Sequence, residues 1–248
     1  IMGSMSDLFS WHVGVIILGV VSLAICFYFV WALPPSKHFV ARPLQFKPLV
    51  KSLFHHLRDS TLVCLFAIGF LLMGSFVTMY NYISFKFLEE PYLLSATIVG
   101  WIFLVYLVGT FSSAWFGSLS SKYGKQPVLY LGIIIFLAGL LLTIPGPLFM
   151  QIIGLVIFTF GFFAAHSVAS GWVSARATHD KAQASSIYLF AYYFGSSVGG
   201  TTGGFFWLHY GWNGIVAFIT ILLVLALLLA INFTIISKKE NARMQKRI

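Results

Sequence analysis

Seven long apolar segments, separated by short polar ones, dominate the sequence. Each is long enough to cross a bilayer, which takes about 20 helical residues. The apolar positions run continuously and do not alternate with polar ones, so the pattern predicts helices and not the strands of a barrel. The fold class predicted is an all-α membrane protein with seven transmembrane helices, at 12–33, 61–85, 95–118, 127–144, 148–172, 183–208 and 213–236.

The composition agrees with a membrane protein. The 248 residues are 59% hydrophobic and 8% charged, with a mean hydropathy of +0.93, whereas a soluble domain carries about 25% charged residues. No Asp, Glu, Lys or Arg lies inside the seven segments. A water-soluble enzyme or nucleic-acid-binding module is therefore excluded. Cys26 and Cys64 both lie in apolar segments, so they indicate neither a disulfide framework nor a metal site.

The net charge of +9 is distributed unevenly across the predicted membrane. Fourteen of the fifteen Lys and Arg residues fall on one side, and only Lys86 falls on the other. By the positive-inside rule the basic side is cytoplasmic, with the N-terminus of the chain outside and the C-terminus inside. The charge thus predicts orientation and contact with anionic lipid headgroups, and no nucleic-acid partner is needed to explain it. A chain that starts outside without a signal peptide leads us to expect further helices upstream.

A basic stretch at 34–60 separates the first segment from the other six. It ends in an apolar patch interleaved with Lys51, His55 and Arg58, which is typical of a short interfacial helix. The adjacent His55 and His56 have no third ligand nearby, so we predict no metal site. The predicted organisation is a last helix of a preceding bundle, a cytoplasmic linker, a six-helix bundle and a cytoplasmic basic tail, at 1–33, 34–60, 61–236 and 237–248.

The six-helix part divides into two triplets, 61–144 and 148–236, that start on opposite sides of the membrane. The middle helix of each carries small residues at helical spacing, at matching positions. One such motif alone indicates a static packing interface. Two such motifs at matching positions of oppositely oriented triplets favour an inverted repeat, which is typical of secondary transporters. The residues are Gly109, Ser113 and Gly117 in the first triplet and Gly195, Gly199 and Gly203 in the second.

Two polar clusters lie in the outer helices of these triplets, and polar groups inside a membrane are often functional. Inversion places the first near the outer mouth of a central cavity and the second near the cytoplasmic mouth. One interpretation is that His166 assists proton coupling. The other is that it forms a structural hydrogen bond to a neighbouring helix. Tyr188 and Tyr192 would stack on a substrate or pack in the core. The first cluster is Thr78, Tyr80, Asn81 and Tyr82; the second is His166 with Ser170.

The loop after the third segment reads Gly117-Ser118-Leu119-Ser120-Ser121-Lys122-Tyr123-Gly124-Lys125. It resembles the loop signature of the major facilitator superfamily, Gly-x-Leu-x-Asp-Arg-x-Gly-Arg. Ser121 stands at the Asp position, and Lys122 and Lys125 stand at Arg positions. Three longer strings, 69–78, 161–170 and 181–186, are similar to the YnfM-type branch of drug:proton antiporters and arabinose-efflux permeases.

The resemblance implies a twelve-helix transporter of the bacterial inner membrane, of which this chain supplies the last seven helices. It also implies that the second and fifth segments line the cavity and that the third and sixth face the other half. Lys122 and Lys125, with Arg176 across the same face, would hold the cytoplasmic side closed by bonding helix C-terminal carbonyls. The alternative is that these cations only set the orientation.

The function predicted is secondary active transport of a small molecule by alternating access, with proton-coupled efflux implied by the resemblance. No enzyme, cofactor or catalytic group is predicted, and no nucleotide-binding loop is present. Because the segments contain no carboxylate, the usual coupling acid would lie in the missing half. The alternatives are a fragment that is inactive or needs a partner half, a channel, and a seven-helix receptor. The cavity side chains favour a neutral or amphipathic substrate.

Overall fold

A computed structural model describes residues 10–34, 46–144 and 146–245, with side chains at 10–34, 49–144 and 146–232. The predicted external start, linker residues 35–45 and the side chains of the basic tail lie outside the described residues. All described elements are helical. They are α1 (Trp11–Ala32), α2 (Phe46–Arg58), α3 (Ser60–Leu88), α4 (Ala96–Ile102), a 3₁₀ turn (Phe103–Val105), α5 (Tyr106–Tyr123), α6 (Lys125–Leu141), α7 (Leu148–Arg176) and a last segment, Lys181–Gln245.

The last segment is two helices divided at Gly211, whose φ of 57° and ψ of −144° are not helical. We label them α8 (181–210) and α9 (212–245). The positive φ is one that glycine adopts readily. With this division, and with α4 to α5 as one span, the described helices match the seven predicted segments, so the predicted fold class is confirmed.

Helix lengths differ from the sequence prediction in one respect. The apolar spans continue into the flanking charged residues, so that Lys86 lies in the last turn of α3 and Lys122 in the last turn of α5. The predicted segments ended at 85 and 118, before these two cations, whereas the helices continue past them. A long Lys side chain can lie along the helix and place its ammonium group near the membrane surface, so the backbone need not end before it.

The chain forms two compact units. The smaller contains α1 and residues 87–104; the larger contains Lys47–Lys86 and the chain from Val105 onward. In α1 only Gly14 is buried. Within the larger unit, α7 packs against α5, α6 and the last helical segment. Its contact with α6 is very close, since a Cβ added to Gly132 would lie 2.8 Å from the Ala165 nitrogen.

Candidate functional site

The candidate site is a polar stripe along α7, and it lies within the larger unit. Five polar side chains recur at spacings of eight, seven, four and four residues. In a helix these spacings keep the side chains on one broad face. Four of them lie within 3.5 Å of polar atoms on neighbouring helices. The stripe comprises Gln151, Thr159, His166, Ser170 and Ser174.

Thr159 forms one level of this stripe with α3. Its Oγ1 lies 2.7 Å from the Tyr80 hydroxyl, and both side chains are buried. The Tyr80 ring also contacts Tyr106 of α5, with centroids 4.6 Å apart. Tyr80 was predicted from the sequence, whereas Thr159 was not. The structure therefore places Tyr80 against α5 and α7 inside the bundle.

His166 forms the next level, with α8. Its Nδ1 lies 3.0 Å from the Tyr188 hydroxyl, and its ring centroid lies 4.7 Å from that of Tyr192. The structure thus brings together three residues that the sequence predicted in two separate segments. Seven residues separate His166 from Thr159, which is about 10 Å along a helix at about 1.5 Å per residue.

Aromatic rings connect the two levels. Phe76 of α3 stacks on Phe162 of α7 at a centroid distance of 3.9 Å. Phe76 also contacts Tyr80 at 4.8 Å, and Phe162 stacks on His166 at 5.7 Å. The two hydrogen-bonded levels are therefore joined by a continuous series of ring contacts.

A pocket of about 390 Å³ opens beside His166, between α7 and α8. Its described lining is rich in hydroxyl groups and contains no Asp, Glu, Lys or Arg. Ser170 bonds the Ser167 carbonyl oxygen at 3.2 Å, as helix serines commonly do. Besides Ser167 and Ser170, the lining residues are His166, Gly171, Val173, Ser174, Ser185, Tyr188 and Leu189.

The predicted tyrosine cluster on α3 divides between two neighbours. Tyr82 points to α8 and donates its hydroxyl to the Gly200 carbonyl oxygen at 2.9 Å. Thr78 is buried and bonds the carbonyl of Gly74 in its own helix at 2.7 Å. Asn81 is exposed. The four residues therefore do not converge on one cavity.

The small residues of α8 pack directly on α3. A Cβ added to Gly199 would lie 2.7 Å from the Gly74 Cα, and one added to Gly195 would collide with the Phe70 backbone. Gly203 contacts Thr78 and Tyr82 in the same way. The small-residue face of α8 therefore packs on α3 within the larger unit.

Only part of the predicted small-residue face of α5 packs against a neighbouring helix. Gly109 lies against the Phe163 ring, but nothing lies within 4 Å of a Cβ added to Gly117 among the described residues. Ser113 is half-buried, whereas its neighbour Ser112 is buried and donates to the Phe160 carbonyl at 2.6 Å. The packed face of α5 thus passes through Ser112 and Phe116, because the hydroxyl of Ser112 finds its acceptor on α7.

An ion pair joins α7 to the start of α3 at the basic end of the bundle. Arg176 Nε donates to Asp59 Oδ2 at 3.0 Å, and Asp59 Oδ1 accepts from the backbone N–H groups of Thr61 and Leu62. Partial burial acts to raise the pKa of Asp59, but the hydrogen bonds from Arg176 and the backbone outweigh it and lower that pKa. Arg176 thus bonds a carboxylate, where a helix carbonyl was predicted.

The other predicted residues of this end, Lys122, Gly124 and Lys125, lie where α5 ends and α6 begins. Gly124 adopts a φ of 90°, which reverses the chain between the two helices and favours glycine. The Lys122 ammonium lies 5.2 Å from the ring centroid of its neighbour Tyr123. Lys125 begins α6. Of the predicted residues at this end, only Arg176 is described with a hydrogen bond to another helix, through Asp59.

A second polar cluster lies at the opposite end of the bundle. Lys86 of α3 donates to Gln151 Oε1 at 2.9 Å and to the Thr143 carbonyl at 3.2 Å. The same carbonyl accepts from Trp212 Nε1 at 2.9 Å, and the Lys86 ammonium lies 4.3 Å from the Trp212 ring centroid. Four chain segments meet here: the end of α3, the α6–α7 turn, the start of α7 and the start of α9.

Sequence reasoning missed Asp59, Gln151 and Thr159. Asp59 lay among cations in a predicted linker, and the other two lay in apolar segments as single polar residues. One signal was available, because Gln151 and Thr159 precede His166 by fifteen and seven residues, which places all three on one face of a helix.

Comparison with known proteins gives consistent matches. The model of the Major Facilitator Superfamily matches residues 74–246. An uncharacterized MFS-type transporter of Bacillus subtilis (strain 168), YybF, is 48% identical over 230 residues, covering 93% of this chain and 57% of that protein. The inner membrane transport protein YnfM of Escherichia coli (strain K12) is 46% identical over 228 residues, covering 92% and 55%. The chain thus spans just over half the length of these curated relatives.

Proposed function

The chain belongs to the Major Facilitator Superfamily, and on that premise we propose that it forms the last seven of twelve helices of a secondary active transporter. The transporter moves a small molecule across the bacterial inner membrane by alternating access. The proposal includes an inverted repeat of 61–144 and 148–236, a cytoplasmic basic end and a preceding half that completes the cavity. It is not proposed to be an enzyme.

The observation that carries the proposal is the polar stripe of α7. Polar groups are costly inside a membrane unless they bond one another or line a pathway. Here they occur at successive depths, and the level at His166 opens into the pocket of about 390 Å³. The part of the stripe that lines this pocket, at His166, Ser170 and Ser174, provides hydrogen-bonding positions for a solute.

The pocket lining favours a neutral or amphipathic substrate. Hydroxyl and imidazole groups can bond polar parts of a solute, and the exposed Leu189 side chain offers an apolar surface. The described lining has no charged Lys, Arg, Asp or Glu to match an ion. This chemistry resembles that of small-molecule sites in general, which are apolar with a few placed polar groups.

Proton coupling follows from the His166–Tyr188 hydrogen bond. With a neutral imidazole whose Nδ1 lacks a proton, the Tyr188 hydroxyl donates to Nδ1 at 3.0 Å. Protonation makes both ring nitrogens donors, so Tyr188 must then accept. The proton therefore reverses the polarity of a contact between α7 and α8 at the edge of the pocket, which links protonation to substrate binding. Efflux is proposed as the direction because of the family branch that the sequence resembles.

The test uses the protein expressed from its complete gene and reconstituted in liposomes that contain the pH dye pyranine. A panel of neutral and amphipathic compounds is added with and without an imposed pH gradient. At least one compound should move against its gradient and alter the internal pH. His166→Gln should abolish this coupling but retain exchange of substrate across the membrane. His209→Gln is the matched control, because His209 is exposed and bonds its own helix.

Tyr188→Phe separates coupling from packing, since it keeps the buried ring and removes only the hydroxyl. We expect coupling to weaken and substrate exchange to persist. If no compound produces gradient-dependent flux, the transport proposal fails. If flux is present and His166→Gln leaves it fully coupled to the pH gradient, transport stands and the coupling role of His166 is rejected.

A further inference from the structure

A second cavity lies apart from the α7 stripe, where α2 meets the turn between α7 and α8. Its volume is about 580 Å³, and all of its lining belongs to the larger unit. We propose that this cavity binds a phosphate group and that the phosphate belongs to the headgroup of an anionic membrane phospholipid. The polar lining side chains are Lys51, Ser52, His55, Arg58, His179 and Asp180.

The charge of the lining favours an anion. Lys51 and Arg58 supply two fixed positive charges against the single negative charge of Asp180. Arg58 carries a planar set of donors that suits phosphate oxygens. The other acid nearby, Asp59, is already bonded to Arg176 and to the first turn of α3. It is therefore not available to neutralise the cavity cations.

Two buried polar atoms on α2 have no hydrogen-bond partner in the described structure, and one of them, Ser52 Oγ, belongs to the cavity lining. Ser52 lines the cavity and is 7% exposed, yet its Oγ has no hydrogen-bond partner in the described structure. His56, one helical turn later, is 2% exposed and its Nε2 is also unpaired there. A buried donor without a partner is costly, so such groups normally bind something. A phosphate oxygen would satisfy Ser52.

The imidazole rings beside the cavity do not point to a metal instead. His55, His56 and His179 contact one another through their rings, with centroids 4.7 to 6.0 Å apart. Among the described residues, no group of three His, Cys, Asp or Glu side chains is arranged to hold a metal ion. The rings of His55 and His179 instead line the cavity, where their N–H groups can donate to an anion.

The exposed face of α2 identifies the source of the phosphate. At about 100° per residue, its apolar side chains form a continuous arc of roughly 140°, and four of them are exposed. A phosphate dissolved in water would need no such surface, whereas a helix lying in the headgroup layer would bury it in lipid. Phe54 belongs to both the arc and the cavity lining, so an acyl chain could follow the headgroup directly. The four are Leu49, Val50, Phe54 and Leu57.

The test titrates delipidated protein in maltoside micelles with palmitoyl-oleoyl phosphatidylglycerol, and counts bound lipid by native mass spectrometry. The double variant Lys51→Gln/Arg58→Gln should bind the lipid at least about tenfold more weakly, since each hydrogen bond to a charged group contributes about a factor of ten or more. Lys122→Gln/Lys125→Gln is the matched control, because it removes two cations of the same end that lie outside the cavity. Its affinity should match the wild type.

Ser52→Ala tests the site without removing charge. Because it deletes an unpaired buried hydroxyl, the thermal midpoint should be unchanged or raised while lipid affinity falls about two- to fivefold. Palmitoyl-oleoyl glycerol, which has the same acyl chains and no phosphate, should bind all variants alike. An equal loss of affinity in the two double variants would show a diffuse surface charge and overturn the proposal, as would unchanged affinity in all variants. Inorganic phosphate that binds the wild type as tightly as phosphatidylglycerol would overturn the lipid assignment.

Discussion

The contact between α3 and α8 makes a sharp prediction about Gly199. A Cβ at this position would lie 2.7 Å from both the Cα and the carbonyl oxygen of Gly74. Carbon atoms in good van der Waals contact are about 3.5–4.0 Å apart, so Gly199→Ala must move the two helix backbones apart by roughly 1 Å. The neighbouring Tyr82–Gly200 hydrogen bond of 2.9 Å lies on the same contact and would lengthen with it.

The expected loss of stability follows from two opposing effects. Overpacking a close contact typically costs about 1–3 kcal/mol. Ala is a better helix former than Gly by about 0.8–1.0 kcal/mol, which offsets part of that cost. We therefore expect Gly199→Ala to lower the free energy of unfolding by up to about 2 kcal/mol. The measurement is unfolding in mixed micelles, with tryptophan fluorescence as the readout.

Gly117→Ala is the matched control for this experiment. It makes the same change within a helix of the same unit, where nothing described lies within 4 Å of the added Cβ. Its stability should equal or exceed that of the wild type. Equal stabilities of the Gly199→Ala and Gly117→Ala variants would refute the assignment of the α3–α8 contact as a close-packed interface.

Two further predictions concern the ends of the bundle. Because the pKa of Asp59 is lowered on folding, its ion pair stabilises the protein above the ordinary Asp value of 3.8 and loses that effect as the pH falls through the lowered pKa. Since the pair is half-exposed, Asp59→Asn should cost less than about 1 kcal/mol at pH 7; a thermal midpoint difference from wild type that does not shrink as the pH is lowered below 3.8 would contradict this. At the other end, Lys86→Met should cost about 1.5–3 kcal/mol by removing charged hydrogen bonds to Gln151 and Thr143. Lys125→Met should cost little, and equal thermal midpoints of the two variants would rule out the cluster as a stabilising contact.

The membrane fold was predictable because its signals are strong and local. Continuous apolar runs predicted the spans, and the break at Gly211 falls in the connection predicted between 208 and 213. The superfamily, predicted from the loop around Gly117 and three longer strings, is confirmed by the family match over 74–246. The extent of α3 was missed because a helix does not end where hydropathy falls, and Lys86 is accommodated by acceptors on other segments.

Side-chain partners were harder to predict than helices. Spacing identified the α8 stripe of Gly195 and Gly199, whose contacts require small residues. The same spacing rule selected Gly117 on α5, which has no close neighbour in the described structure. The packed face passes instead through Ser112, because one hydroxyl finds an acceptor on α7. Sequence spacing gives the face of a helix only approximately, and the neighbouring helix determines which residues on it make contact.

The two ends of the α3–α7 pair are held by contacts of unequal strength. Separating the helices at the basic end breaks the half-exposed Asp59–Arg176 pair, which contributes less than about 1 kcal/mol. Separating them at the other end breaks the part-buried contact of Lys86 with Gln151, which contributes about 1.5–3 kcal/mol. We therefore expect α3 and α7 to separate locally more readily at the basic end than at the other end, and Lys86→Met to remove most of that difference.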